Sequence, residues 1–111
     1  MKIKTEVQNN ILVVRLDGEI DHHSSTLIKE TVDQLYQKHR VRHILFDFKD
    51  VTFMDSSGIG MLMGRYRSTI IGGGKVMLVE VKPEVDKILQ LSGIYKLMKL
   101  YKDETVAVAN L

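Results

Sequence analysis

The sequence predicts an α/β domain, a mixed sheet of four to five strands with amphipathic helices packed on it. Three observations carry that prediction. Segments rich in β-branched residues alternate with segments of helical period. The first two β-rich segments are separated only by Gln8-Asn9-Asn10, which is hairpin chemistry. The run from Ile44 to Val79 reads strand, helix, strand, a unit whose crossover is right-handed and whose strands are parallel. An antiparallel hairpin joined to a parallel unit makes a mixed sheet.

In chain order, Ile3 to Val7 alternates apolar and polar residues and Ile11 to Leu16 supplies the second strand. Asp17 to Ser25 is polar and turn-like, and Ser24 or Ser25 is expected to cap the first helix. From Thr26 to about Lys38, the residues Leu27, Ile28, Val32, Leu35 and Tyr36 share one helical face. His43 to Phe48 is a short apolar run between charged residues, as in a buried central strand. In the helix expected after Ser57, Ile59, Leu62, Met63, Tyr66 and Ile70 form the core stripe. Gly60, Met61, Gly64, Arg65 and Ser68 are then turned partly outward. Gly72-Gly73-Gly74 ends that helix, and Lys75 to Val79 is β-rich. Pro83 stands at a first helical position, with Glu84 and Asp86 in the first turn and Gly93 just past the last. Leu97 to Tyr101 fits a short edge strand. Glu104 to Leu111 fits a helix or a strand, which its period does not separate.

At 111 residues the chain, 1–111, is the size of a single domain. Hydrophobic and charged contents of 44% and 27% and a single proline are those of a folded soluble protein. A net charge of +2 does not advertise a nucleic-acid partner. The densest basic stretch, Lys38 to His43, reads as a solvated helix end. The absence of cysteine excludes a disulfide framework and thiolate metal ligands. With no signal-peptide core at the start and no apolar run of membrane-spanning length, the expectation is a cytoplasmic protein with no membrane partner.

The stretch Val51 to Tyr66 holds the chemistry. An apolar run passes through Asp55-Ser56-Ser57-Gly58 into a helical pattern, so two hydroxyls stand where a helix begins. A lone serine there is ordinarily a cap. Here Gly58, Gly60 and Gly64, all poor helix formers, and the soft side chains Met54 and Met61 suggest a helix start that something approaches closely. A phosphoryl group on Ser56 would see free N–H donors and the positive helix end. It would also bring roughly −1.5 to −2 charge beside Asp55. Burying that charge against a partner without a cation costs several kcal/mol, enough to end binding. A catalytic serine is not supported: the G-x-S-x-G elbow is absent and no orienting third residue accompanies His22 or His23. Gly58, Gly60 and Gly64 miss the dinucleotide spacing, and no phosphate-loop motif exists. Asp21-His22-His23 offers too few ligands for a metal site and reads as a helix-capping turn.

Gly18-Glu19-Ile20-Asp21-His22-His23, Arg42-His43-Ile44-Leu45, Phe53-Met54-Asp55-Ser56-Ser57-Gly58-Ile59-Gly60 and Leu91 to Leu97 occur in order along essentially the whole chain. In this the sequence resembles the anti-anti-sigma factors with a STAS domain, and D-H-H sharpens the likeness to the sporulation branch in endospore-forming bacteria. The resemblance implies a STAS-like fold and a transcription regulator with no catalytic residues, no metal and no cofactor of its own. Its implied partner is an anti-sigma factor that is itself a serine kinase, with ATP on that partner. The unphosphorylated form frees the sigma factor. Phosphorylation falls on Ser56, with Ser57 the neighbouring alternative, and a metal-dependent serine/threonine phosphatase reverses it. Asp21, His22, Met54, Asp55, Ser56, Ser57, Gly58, Ile59, Gly60 and Met61 then form the partner surface. A small-ligand or nucleotide-binding module and, more remotely, a serine-dependent enzyme are the alternative readings.

Overall fold

A tight turn folds β1 (Lys2–Gln8) back onto β2 (Ile11–Ile20), with Asn9 in the left-handed backbone region that asparagine tolerates. The computed structural model describes all 111 residues, Met1–Leu111. After the hairpin come α1 (His22–His39), β3 (His43–Met54), α2 (Ser56–Ile71), β4 (Val76–Val79), α3 (Pro83–Ser92), a 3₁₀ turn (Ile94–Lys96), β5 (Lys99–Tyr101) and α4 (Glu104–Ala109). The five strands lie in sequence order, β1 antiparallel to β2 and every later pair parallel. The expected mixed sheet is present.

Period-2 alternation divides the sheet into two faces. Leu12, Val14, Ile44, Phe46, Phe48, Val76 and Leu78 join residues of α1, α2 and α3 in the main core. Ile11, Val13, Leu45, Met77 and Val79 form a second, smaller core, closed by Ala107 of α4 and flanked by Tyr101. The layers are therefore unequal: three substantial helices on one face and one short helix on the other.

Several expectations change. α1 starts at His22 rather than Thr26, because Asp21, not Ser24 or Ser25, is its cap. β3 continues past Phe48 to Met54, because β2 stays paired with it through two register shifts, as far as Ile20 opposite Met54. Leu27 is exposed, leaving Ile28 and Val32 as the buried part of the α1 stripe. The C-terminal segment whose period was ambiguous is a helix, capped by Asp103. Gly74 is required by close approach, since a Cβ there would lie 1.7 Å from the Arg42 carbonyl oxygen. No helix is long and apolar enough to cross a membrane.

Candidate functional site

Because β2 and β3 are parallel and end in register, the helices that come after them start side by side. The Asp55 N–H donates to the Ile20 carbonyl at 3.1 Å and ties the two turns together. Crevices beyond the carboxyl ends of parallel strands are where α/β sheets present their ligating groups.

At the start of α1, the Asp21 carboxylate accepts from the Ser24 N–H at 2.9 Å, and the Ser24 hydroxyl accepts from the Asp21 N–H at 2.9 Å. This closed capping box leaves neither residue's group unpaired. The bond from the Ser24 N–H, followed by that from its hydroxyl, holds the Asp21 carboxyl below the usual carboxylate range. The Ser24 hydroxyl also donates to the Glu19 carbonyl at 2.8 Å. His22 and His23 are exposed on the first turn, and no group of three or more His, Asp or Glu side chains is placed to hold a metal ion.

At the start of α2, Asp55 is the cap and Ser57 its partner. The Ser57 N–H donates to Asp55 Oδ1 at 2.9 Å, and the Ser57 hydroxyl donates to the same oxygen. Ser25, buried on α1, donates its hydroxyl to Ser57 Oγ at 3.2 Å. Ser57 is thus held on both sides. Ser56, the first residue of the helix, is exposed and its hydroxyl has no partner within the protein. The capping role considered for either hydroxyl belongs to Asp55 assisted by Ser57.

The remaining residues expected at the partner surface divide by burial. His22 and Gly60 are exposed and Ile59 is half-buried against the core. Met54, Gly58 and Met61 are buried. Gly58 sits so close to Met54 that a Cβ would lie 2.4 Å from Met54 Cγ, so its need is internal packing, not the approach of a partner. Met61, at 5% exposure, and Arg65, at 6%, correct the outward assignment of these residues, while Ile70, expected in the core, is 51% exposed. A period-3.6 stripe assumes one buried face, but α2 packs against the sheet on one side and α1 on another. Arg65 serves that second side. Its Nε lies 2.7 Å from Asp33 Oδ1 of α1, an ion pair whose N–H is not aligned for a hydrogen bond, and Nη1 reaches the Met61 carbonyl at 3.4 Å.

Between α1 and α2 runs a shallow groove of about 340 Å³, lined by His22, Ser25, Thr26, Lys29, Ser57, Gly60, Met61, Gly64, Arg65 and Arg67. It is polar and basic, with Met61 its one apolar residue. The sequence pattern did not mark Lys29 or Arg67 as site residues, nor Phe53, which is 48% exposed two residues before the Asp55 cap. Alternation alone hides Phe53: with Val51 inward, strict period 2 leaves it on the same face, and only a register shift in the pair turns it out.

With this geometry in place, the similarities are informative. Residues 2–107 match the STAS domain. An anti-sigma F factor antagonist of Paenibacillus polymyxa is 37% identical over 111 residues, covering 100% of this chain and 95% of that protein. This chain belongs to the STAS family of anti-sigma factor antagonists. The structure of the antagonist SpoIIAA in its unphosphorylated form superposes with a TM-score of 0.85 at 31% identity, covering 99% of this chain and 98% of the other. The phosphorylated form of SpoIIAA from Bacillus gives 0.76 at 31% identity, with 98% of each chain covered. This STAS family member therefore shares its fold with SpoIIAA, a protein solved in both an unphosphorylated and a phosphorylated form.

Proposed function

We propose that this protein is a phosphorylation-switched binding protein of the sporulation type, acting in the cytoplasm. Its unphosphorylated form docks on an anti-sigma factor that is a serine kinase and so releases the sigma factor. Phosphorylation of Ser56 ends that docking, and a metal-dependent serine/threonine phosphatase restores it. ATP belongs to the partner kinase.

The observation that carries this reading is the exposed, unpartnered hydroxyl of Ser56 at the head of a 16-residue helix, beside a Ser57 hydroxyl already engaged by Asp55 and Ser25. A kinase reaches the first without disturbing the fold and the second only by displacing its hydroxyl from Asp55 and Ser25. Once attached, the phosphate is accommodated locally by the helix N-terminus. On docking, however, its charge and that of Asp55 have to be desolvated together, at a cost of several kcal/mol, where about 1.4 kcal/mol is already a factor of ten in affinity. Asp21, His22, Phe53 and the exposed residues from Ser56 to Gly60 supply the surrounding contact surface.

The test is to incubate the protein with the cognate kinase and labelled ATP, comparing wild type with Ser56→Ala, Ser57→Ala and Ser56→Asp. Label is expected in wild type and Ser57→Ala but not in Ser56→Ala, and Ser56→Asp is expected to bind the kinase at least tenfold more weakly. Label retained by Ser56→Ala, or wild-type affinity in Ser56→Asp, would overturn the assignment.

A further inference from the structure

The groove between α1 and α2 continues well past the helix starts that the Ser56 switch uses. His22, Thr26 and Lys29 bring α1 to its wall at i, i+4 and i+7, and Gly60, Gly64 and Arg67 bring α2 to it at the same spacing. No carboxylate lines it. Lys29 and Arg67 are exposed and belong to no ion pair, and Arg65, 6% exposed, stands between them in the lining. The Arg65 guanidinium is held at Nε by Asp33, which is not part of the lining. Its one hydrogen bond within the protein is the long contact from Nη1 to the Met61 carbonyl at 3.4 Å, so Nη2 makes none. A fixed guanidinium with donors to spare is suited to a carboxylate.

Gly60 and Gly64 keep the α2 wall bare. Glycine inside a helix is unfavourable, and packing asks for neither of these two, since a Cβ at either would meet nothing within 4 Å. Neither has a positive φ. Gly58 has an internal reason in Met54, but at Gly60 and Gly64 the missing side chain serves only to leave room outside. Small-molecule sites are enclosed and mostly apolar, whereas this groove is shallow with Met61 its one apolar residue. A net charge of +2 supplies none of the basic excess that nucleic-acid binding draws on. What fits is a protein segment bearing carboxylates.

We propose that the groove between α1 and α2 receives an acidic segment of the partner kinase, whose carboxylates meet Lys29, Arg65 and Arg67 while Gly60 and Gly64 let its backbone down between the helices. This rests on the docking proposed above and extends that contact surface along α2 from Ser57 to Arg67. Complementary charge of this kind sets the rate and register of association more than its final strength. The groove also opens at Ser57, the neighbour of Ser56. A phosphate on Ser56 would therefore place like charge where the acidic segment enters, and the same field that draws the unphosphorylated form to its partner would be offset in the phosphorylated one.

The test compares binding of the cognate kinase by wild type and three variants, all unphosphorylated. Lys29→Glu with Arg67→Glu reverses two exposed charges and is expected to bind about tenfold more weakly, chiefly through slower association, with the deficit shrinking as salt is raised. Lys99→Glu with Lys102→Glu makes the same change of net charge at β5, away from the groove, and is expected to stay within about twofold of wild type. Gly64→Leu fills the groove with a better helix former, so its urea midpoint is expected to rise while binding falls about tenfold, which separates blocking from unfolding. Wild-type binding in the first or third variant, or an equal loss in the β5 control, would overturn the groove. A hexaglutamate peptide is expected to shift the Arg65 Nε resonance of the protein alone, and a hexanucleotide RNA that shifts it at lower concentration would overturn the carboxylate assignment. Labelling of Ser56 is read separately. Label retained by Ser56→Ala would sink the switch and leave these binding ratios standing, whereas undiminished binding by the charge-reversed pair would sink the groove alone.

Discussion

Helices α1 and α2 begin side by side, each after a parallel strand and each capped by an aspartate, yet their first turns are built differently. In α1 the third residue is Ser24, which returns the cap's hydrogen bond and is itself buried. In α2 the third residue is Gly58, which has no side chain to return anything, and the second residue, Ser57, takes the bond to the cap. The cap at each of these starts uses one aspartate and one hydroxyl. α2 has two hydroxyls, so Ser56 is surplus to the fold, and a surplus group at a solvent-facing edge is free for regulation. The difference also explains why Gly58 stands where α1 has a serine: Met54 and Ile20 occupy the space a side chain would need.

The largest effect expected from disturbing this comparison is at Gly58. Gly58→Ala places a methyl 2.4 Å from Met54 Cγ and 3.1 Å from Ile20 Cγ2 in a packed core, and overpacking of this kind costs about 1–3 kcal/mol. The same substitution two residues on, Gly60→Ala, meets nothing within 4 Å and should gain about 0.5–1 kcal/mol from helix propensity alone. Urea unfolding measures both as opposite shifts of midpoint at constant slope. A Gly58→Ala midpoint at or above wild type would show that Met54 moves aside, and the close contact would then not be the reason for the glycine.

Next in size is the contrast between the two capping hydroxyls. Ser24→Ala removes a buried hydroxyl that accepts from Asp21 and donates to the Glu19 carbonyl, and it should cost about 1–2 kcal/mol. Ser57→Ala keeps the backbone N–H bond to Asp55 and loses only hydroxyl contacts in a half-buried position, so about 1 kcal/mol or less is expected. If Ser57→Ala proved the costlier, the bridge from Ser25 to Ser57 would be holding the two helices together more firmly than the capping box does.

The range of each interaction decides how much of the molecule was legible in the sequence. The alternation of strands and helices, the hairpin and the α2 start depend on neighbours a few residues apart, and all were readable. The burial of Met61 and Arg65 was not, because it depends on α1 packing beside α2 and on Asp33 meeting Arg65 across that gap. Nor was Ser25 to Ser57, a pair separated by 32 positions. The caps fell between these cases: a polar turn before α1 was plain, but Asp21, Ser24 and Ser25 are each able to cap, and only the path of the chain out of β2 selects Asp21. Nor does anything local announce that Glu104, 89 positions along the chain, meets Arg15 of β2 across the sheet.

The smallest effect is the most discriminating. Ser56 has no partner in the fold, so Ser56→Ala should change stability by no more than about 0.5 kcal/mol, the range of ordinary surface substitutions. The same variant is expected to lose all labelling by the kinase. A large functional change with almost no change in stability is what a group kept for regulation produces, whereas a capping hydroxyl such as that of Ser57 costs stability and leaves labelling in place. If Ser56→Ala were destabilised by as much as Ser57→Ala, then Ser56 would share the cap with its neighbour. The two hydroxyls would not divide the work, and the choice of which one the kinase modifies would have to come from the kinase rather than from this helix start.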